Sequence, residues 1–452
     1  MSLPHGAPSS GSADGLEIRS FIDDRRMSPR QWLLAVLCFL IVLADGMDVA
    51  IMGFIAPPIL SDWGISRPAF GFVMGAAPIG LAVGAVLAGS SSDWFGRRKV
   101  LLASVLSFGV LTLLTAFTRS PTEMAILRFL TGLGLGAAMP NTTTLLSEYV
   151  PQRSKSFLLA TMFTGFNFGS ALIGFAAAAI IPHYSWHGVL YFGAALPLVL
   201  FVLLLAVLPE SARYMVVKGA PADRIRATLG KITGADLSGH DRFTLAEEVT
   251  AGKQPLSVLF NRTFAMRTFT LWATYFMGLL VIYLTTSWLP TMMKDAGMSI
   301  DRAANVTAMF QLGGTIGAVV VGLAMDRFGA NRTIALSYLL GGLSLIALGF
   351  GGLESAALAL IVAFVGFCMS GAQTGLNAFA PGCYPTVARA TGVSWMMGVG
   401  RLGSILGSSI GGVLLSVGWG FGGIFAALAA PACLAAVAIL LNGLSRSATE
   451  NS

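Results

Sequence analysis

Charge is scarce in this sequence. Of 452 residues only 11% are Asp, Glu, Lys or Arg, against roughly 25% in an ordinary soluble domain. A soluble chain of this length needs a charged coat, so the shortage excludes the usual water-facing globule. Cysteine is scarce as well. Cys38, Cys368, Cys383 and Cys433 form no CxxC pair and lie in or beside apolar stretches; they read as small buried residues, not as disulfides or metal ligands. Enzyme signatures are missing too: there is no HExxH, no GxSxG on a strand–helix turn and no clustered His and Cys. No glycine-rich segment follows a strand, so a nucleotide site has no support. No metal and no cofactor is expected. His183 and His187 fall in a loop and read as surface residues. The first thirty residues are polar, with Asp23, Asp24, Arg25 and Arg26, and lack a charged-then-apolar leader; the first long helix is expected to act as its own targeting signal.

What the chain has instead is apolar length. Hydrophobic residues make up 55% and the mean hydropathy is +0.77. Stretches of about 20 apolar residues, enough to cross roughly 30 Å of hydrocarbon, recur throughout. Spans are expected at 32–59, 68–91, 99–118, 121–147, 157–181, 188–208, 269–293, 302–325, 333–352, 355–380, 390–416 and 420–441. A polar stretch, 209–268, divides them six and six. The expected organisation is thus a cytoplasmic N-terminal segment (1–31), a six-helix bundle (32–208), a cytoplasmic central loop (209–268), a second bundle (269–442) and a cytoplasmic tail (443–452). The net charge of +7 would suggest nucleic acid in a soluble chain. Here it follows from loop placement. With a cytoplasmic N-terminus, 22 of the 28 Lys and Arg fall in cytoplasmic segments and four, Arg67, Arg119, Lys294 and Arg302, in outer loops. That asymmetry is the positive-inside bias of an inner-membrane protein.

The remaining two, Arg128 and Arg401, fall inside spans, as do Asp45 and Asp48. A carboxylate in a span costs roughly 2.5–3.5 kcal/mol on insertion scales, so it should face a cavity and have a task. Spacing i, i+3 puts Asp45 and Asp48 on one helix face. Neighbouring carboxylates in a partly dry site repel, which favours a proton on one of them near neutral pH. Counting about 1.5 Å per residue, Arg128 shares their layer of the membrane and is the expected partner, as a switch released by protonation or as a static ion pair. Arg401 sits close to the midplane with no acidic residue in its own or neighbouring spans. Its planar fork suits a substrate carboxylate; the alternative is an arginine that packs helices through backbone carbonyls. Buried amides need partners, which makes Asn141, Asn167, Gln311, Gln373 and Asn377 candidates for substrate contact, with Tyr275, Tyr283, Phe166 and Trp395 as ring walls.

An internal repeat joins the halves. Gly89-Ser-Ser-Ser-Asp93-Trp-Phe-Gly96-Arg97-Arg98-Lys99 follows the second span, and Gly322-Leu-Ala-Met-Asp326-Arg327-Phe-Gly329-Ala-Asn-Arg332 the eighth. GxxxDxxG with trailing basic residues therefore occurs once per half. Together with Arg128-Phe-Leu-Thr-Gly132-Leu-Gly134-Leu-Gly136 and Pro209-Glu210-Ser211-Ala-Arg213, these segments resemble the signatures of the major facilitator superfamily. Asp45-Gly46-Met47-Asp48 resembles the DGxD motif of its aromatic acid:proton symporter family. The resemblance implies an all-α membrane protein, twelve transmembrane helices in two pseudo-symmetric six-helix bundles around a midplane site. It implies import of a hydroxybenzoate-like carboxylate with protons, the lipid bilayer, the substrate and the proton being the only partners, no nucleic acid, and a monomer. It also implies that Asp93, Arg97, Arg98, Glu148 and Arg153 form a cytoplasmic latch, with Asp326, Arg327 and Arg332 its second-half counterpart. Arg389 matches a functional arginine of the family and equally a positive-inside anchor.

Other functions are weighed on residues. Efflux antiporters carry a Gly-Pro-rich fifth helix, whereas this one reads Gly165-Phe-Asn-Phe-Gly169-Ser-Ala-Leu-Ile-Gly174 without that proline. A sugar porter needs neither Arg401 nor the DGxD pair. A non-transporting sensor would need an output domain, and neither the central stretch nor the tail is long enough for one.

Overall fold

In a computed structural model the described residues are 15–240, 242–245, 259–261, 264–351, 357–384 and 388–450. Nearly all of them are helical. After α1 (Ile18–Asp23), the first long helix, α2 (Pro29–Trp63), is set by its own sequence. Ser28 accepts from the Gln31 N–H, the Gln31 side chain accepts from the Ser28 N–H, and Pro29 opens the first turn, a reciprocal cap that satisfies otherwise orphaned donors. α3 (Arg67–Phe95), α4 (Arg97–Thr115), α5 (Pro121–Tyr149) and α6 (Gln152–Val207) complete the first half. Between the halves come α7 (Ala212–Val217) and α8 (Ala222–Thr233); α9 (Ala265–Asp295), α10 (Ile300–Phe328), α11 (Ala330–Phe350), α12 (Leu358–Phe379), α13 (Arg389–Ser416) and α14 (Phe421–Glu450) form the second half.

Among the described residues ten helices are long and apolar enough to cross a membrane. At 56 residues α6 would run about 84 Å if straight. It reverses at Ser185 instead, whose φ of 60° and ψ of −179° break the helix into the expected fifth and sixth spans. With α5, which carries the buried Arg128, the count reaches twelve. Trp186 anchors the reversal: its indole N–H donates to Asp62 at 3.0 Å and its ring meets Trp63 edge-on at 5.8 Å.

Glycine lets the helices touch along their backbones. A Cβ at Gly132 or Gly136 would lie 2.2 or 2.3 Å from carbonyl oxygens of Ala77 and Leu81 in α3. Gly403 and Gly407 of α13 meet carbonyls of α9 in the same manner. Without a hydrophobic force between helices in lipid, such close contact is what holds them.

The polar stretch 209–268, expected as a loop, is largely a cap on the first half. Ile225, Leu229 and Ile232 of α8 share one core with Ile18, Phe21, Ile22 and Leu34. Arg30 donates to the Lys231 carbonyl at 2.7 Å, and β1 (Leu16–Glu17) pairs in parallel with β2 (Phe243–Thr244).

The halves meet through α2 with α9, α3 with α13 and α6 with α10. At the end opposite the two GxxxDxxG segments they form a tight seam. Gly53 faces the Thr286 carbonyl, Gly71 the Ser409 carbonyl and Gly412 the Arg67 carbonyl, each with no room for a Cβ. Arg67 and Asp295 form an ion pair across it at 2.8 Å.

Two outcomes follow from these backbone features. Ser185→Gly relieves a conformation that only glycine adopts freely and should stabilise the protein by about 1 kcal/mol, seen as a raised thermal midpoint in detergent. Gly412→Val should wedge the seam open. A cysteine placed at Thr286, unreactive to a membrane-impermeant maleimide in the closed seam, should then become labelled.

Candidate functional site

Asp45 and Asp48 lie mid-way along α2, 2% and 3% exposed. They share a face, yet the structure gives them different partners. Asp48 turns into the first half, where Arg128 of α5 and the Thr112 hydroxyl of α4 both donate to it. Arg128 is fully buried, and its Nε and Nη1 have no hydrogen-bond partner. This is a closed ion pair inside one half. Asp45 has no such clamp: its Oδ1 is buried without a hydrogen bond, and the basic group within electrostatic reach of it is Arg401 of α13. Arg401 therefore does not lack an acidic neighbour, as its own span and the adjacent ones imply. Its neighbour comes from the other half of the chain. Tyr283 of α9 stands between the two charges, near Asp45 and within hydrogen-bonding reach of Arg401.

A second polar group lies in the same half as Arg401. The Tyr338 hydroxyl of α11 donates to Gln373 Oε1 of α12 at 2.8 Å. The Tyr275 hydroxyl lies beside both Gln373 and Asn377 and within electrostatic reach of Arg401. The site thus assembles Asp45, Arg401, Tyr283, Tyr275, Gln373 and Asn377 from four helices of both halves.

Other candidates fall elsewhere. Asn141 is buried, but its Nδ2 donates to Ala137 O of its own helix at 2.8 Å. Asn167 is half-buried on α6, 3.6 Å from where a Cβ of Gly314 in α10 would stand, so it lies on the seam between halves. Gln311 is buried within α10. Phe166 lines the α2–α6 contact, its carbonyl against Gly46. Trp395 is 44% exposed and stacks on Trp272 at 5.9 Å, apart from the charged centre.

At the basic end Arg97 donates to Glu148 at 2.5 Å and to the Ser211 hydroxyl at 2.8 Å. Arg98 donates through its side chain to the carbonyls of Leu208 and Leu205, and its N–H to Glu210 at 3.1 Å. Arg153 is not in this cluster; it donates to the Arg25 carbonyl at 2.6 Å. The Asp93 side chain lies outside the described residues. Glu210 and Ser211 belong to the cluster although only their motif, and no role, was legible. Asp326, Arg327, Arg332 and Arg389 are exposed, Arg327 lying over the Phe328 ring at 5.5 Å. Among the described residues no group of three or more His, Cys, Asp or Glu could hold a metal ion.

Two half-bundles, a repeated basic segment at one end and paired charges at their interface narrow the family to one. The Major Facilitator Superfamily profile matches residues 37–306 and 271–451. The chain belongs to the Major Facilitator Superfamily. It is a multi-pass membrane transporter, not an enzyme. Among its relatives, a gallate transporter of Pseudomonas putida is 56% identical, the match covering 95% of this chain and 96% of that protein. The 4-hydroxybenzoate transporter PcaK of Pseudomonas aeruginosa is 48% identical over 97% and 98% of the two chains. The inward-open xylose transporter XylE of E. coli shares the fold at a TM-score of 0.72, with 17% identity over 91% of this chain and 96% of that one.

In this transporter Asp48→Asn should strand Arg128 as an uncompensated buried charge, a loss on the order of 3–5 kcal/mol. The double variant Asp48→Asn with Arg128→Met should recover most of it. Thermal midpoints of the detergent-solubilised proteins decide the point.

Proposed function

We propose that the chain imports a hydroxybenzoate-like aromatic carboxylate together with protons by alternating access, across a bacterial inner membrane with both termini cytoplasmic. The observation that carries this reading is the placement of Asp45 and Arg401 on opposite halves, buried and within electrostatic reach of one another. Relatives named as gallate and 4-hydroxybenzoate transporters supply the substrate class.

The chemistry follows from charge balance. One guanidinium faces one carboxylate while the site is empty. A substrate anion adds a second carboxylate, and an unpaired negative charge in a partly dry site costs several kcal/mol. A proton on Asp45 removes the excess and frees Arg401 for a bidentate bond to the substrate. Proton and anion then enter together because neither is comfortable alone. Tyr283, within hydrogen-bonding reach of Arg401 and electrostatic reach of Asp45, supports the changed pairing, and the ring lies among residues of both halves. With the site neutral, the halves can rock. Asp48 and Arg128 hold Asp45 in place within the first half. The Arg97–Glu148–Ser211 cluster braces the basic end, and no cofactor is required.

Uptake of radiolabelled 4-hydroxybenzoate and gallate into cells expressing the chain should collapse with a protonophore and be competed by other ring acids but not by sugars. Asp45→Asn should lose accumulation driven by a pH gradient while retaining exchange of external for internal substrate. Unimpaired accumulation by Asp45→Asn would overturn the coupling role. Absence of ring-acid uptake by the unaltered chain would overturn the substrate class.

A further inference from the structure

Two of the four basic residues expected outside the membrane, Arg67 and Lys294, come together at one place. Beside the Arg67–Asp295 pair lies a cavity of about 480 Å³, within the roughly 300–1,000 Å³ of small-molecule sites. The end of α2 and the start of α3 form one wall, and the ends of α9 and α13 the other. The cavity is complete only while the two halves are together.

The charges around it do not cancel. Arg67 is neutralised by Asp295 at 2.8 Å, but the Lys294 ammonium has no ion-pair or hydrogen-bond partner among the described residues. A lysine in the last turn of a helix ordinarily complements the helix dipole, and Lys294 holds that place in α9. Its position at the cavity adds a second use. The N-terminus of α3 also opens here, with Ser66, Arg67 and Pro68 in the lining and no acidic residue in its first turn. The positive end of that helix favours an anion as well.

A buried hydroxyl points to a ligand independently. Thr291 lines the cavity and is 1% exposed, and its Oγ has no hydrogen-bond partner. A helical threonine commonly donates back to the carbonyl four residues earlier, as Thr131, Thr142 and Thr286 do here. Thr291 is left without that bond. The remaining walls include Pro57, Leu60, Ile65 and Pro68. A bare inorganic ion gains nothing from them, whereas a carboxylate on an apolar body covers them.

We propose that this cavity is an outer binding site for a small apolar carboxylate, the size of a single-ring acid, and that its occupant holds the seam closed. The site is separate from the Asp45–Arg401 centre, and no step of the transport reading uses it. Because its walls come from both halves, the anion binds the closed form and shifts the population toward it. An excess of acid outside thereby slows the return to the outward-open form and limits uptake.

The test is protection of a cysteine placed at Ser416, an exposed residue of the lining, from a membrane-impermeant maleimide in cells expressing the full chain. External benzoate should slow labelling about tenfold at ten times its half-protecting concentration. Benzamide, acetate and inorganic phosphate should give no protection in that range. Lys294→Gln should raise the half-protecting concentration of benzoate about fivefold, and Arg401→Gln should leave it unchanged. Lys294 and Ser416 are exposed, so their variants carry the test if Arg401→Gln fails to fold. Protection that is absent, or that Lys294→Gln leaves unchanged, overturns the outer site, as does protection lost in Arg401→Gln alone. Equal protection by phosphate overturns the ligand class. Uptake of radiolabelled 4-hydroxybenzoate should also fall at high external concentration. Lys294→Gln should remove that fall and keep the low-concentration rate within about twofold. A fall that is absent, or that persists in Lys294→Gln, overturns the hold on the seam. Each of these failures leaves the transport reading standing, because that reading is decided by Asp45→Asn and by ring-acid uptake itself.

Discussion

Every buried charge in this protein must be neutralised by another, and that constraint organises the two halves. The membrane interior offers no water to a lone arginine or aspartate. Two arginines and two aspartates lie among the spans near the midplane, and the fold divides them into two pairs of different character. Arg128 and Asp48 are enclosed within the first half, with Thr112 adding a second bond to the carboxylate. Arg401 and Asp45 are within electrostatic reach of each other across the boundary. An enclosed pair can only break by unfolding something, so it is a fixture. A pair split between the two halves can be reassigned if they move, which is why the proposed mechanism uses Asp45 and Arg401 and not the enclosed pair.

How much of this could be read from the residues alone depended on range. Mid-span charges were legible because lipid makes them expensive, and the GxxxDxxG repeat because it recurs at matching places. The partner of Arg401 was not legible. It lies in the other half of the chain, and inspecting neighbouring spans pointed to an anion-only environment. Thr112 and Tyr338 carry no local signal, since threonine and tyrosine are common in spans and acquire meaning only through a tertiary contact. Trp395 has the ring expected of a substrate wall, but it is exposed and stacks on Trp272. The central stretch shows the opposite lesson. Ile225, Leu229 and Ile232 recur at helical spacing, a pattern visible in the sequence, yet nine basic residues between 209 and 268 made the whole segment read as a solvated loop.

The docking of α8 and the β1–β2 pair on the first half makes the molecule less symmetric than its repeat implies. The twelve helices obey the pseudo-two-fold arrangement, whereas the material outside them belongs to one side. Arg153, expected in the basic cluster, is diverted to the Arg25 carbonyl by that added material. Glu210 and Ser211 instead lie close to Gly96 and Arg97.

The seam between Gly53, Gly71, Gly412 and their facing carbonyls has a kinetic meaning. A joint made of bare backbone freezes few rotamers when it closes, and so gives up little side-chain entropy. The half-exposed Arg67–Asp295 pair adds no more than about 1 kcal/mol. Closing such a joint therefore costs little entropy, and its hold rests on backbone contact and not on interlocked side chains. Inverting a 1:99 population takes about 5.5 kcal/mol; in the mechanism proposed above, a proton and a carboxylate entering the site supply it. A seam of interlocked leucines would hold more firmly and turn over more slowly.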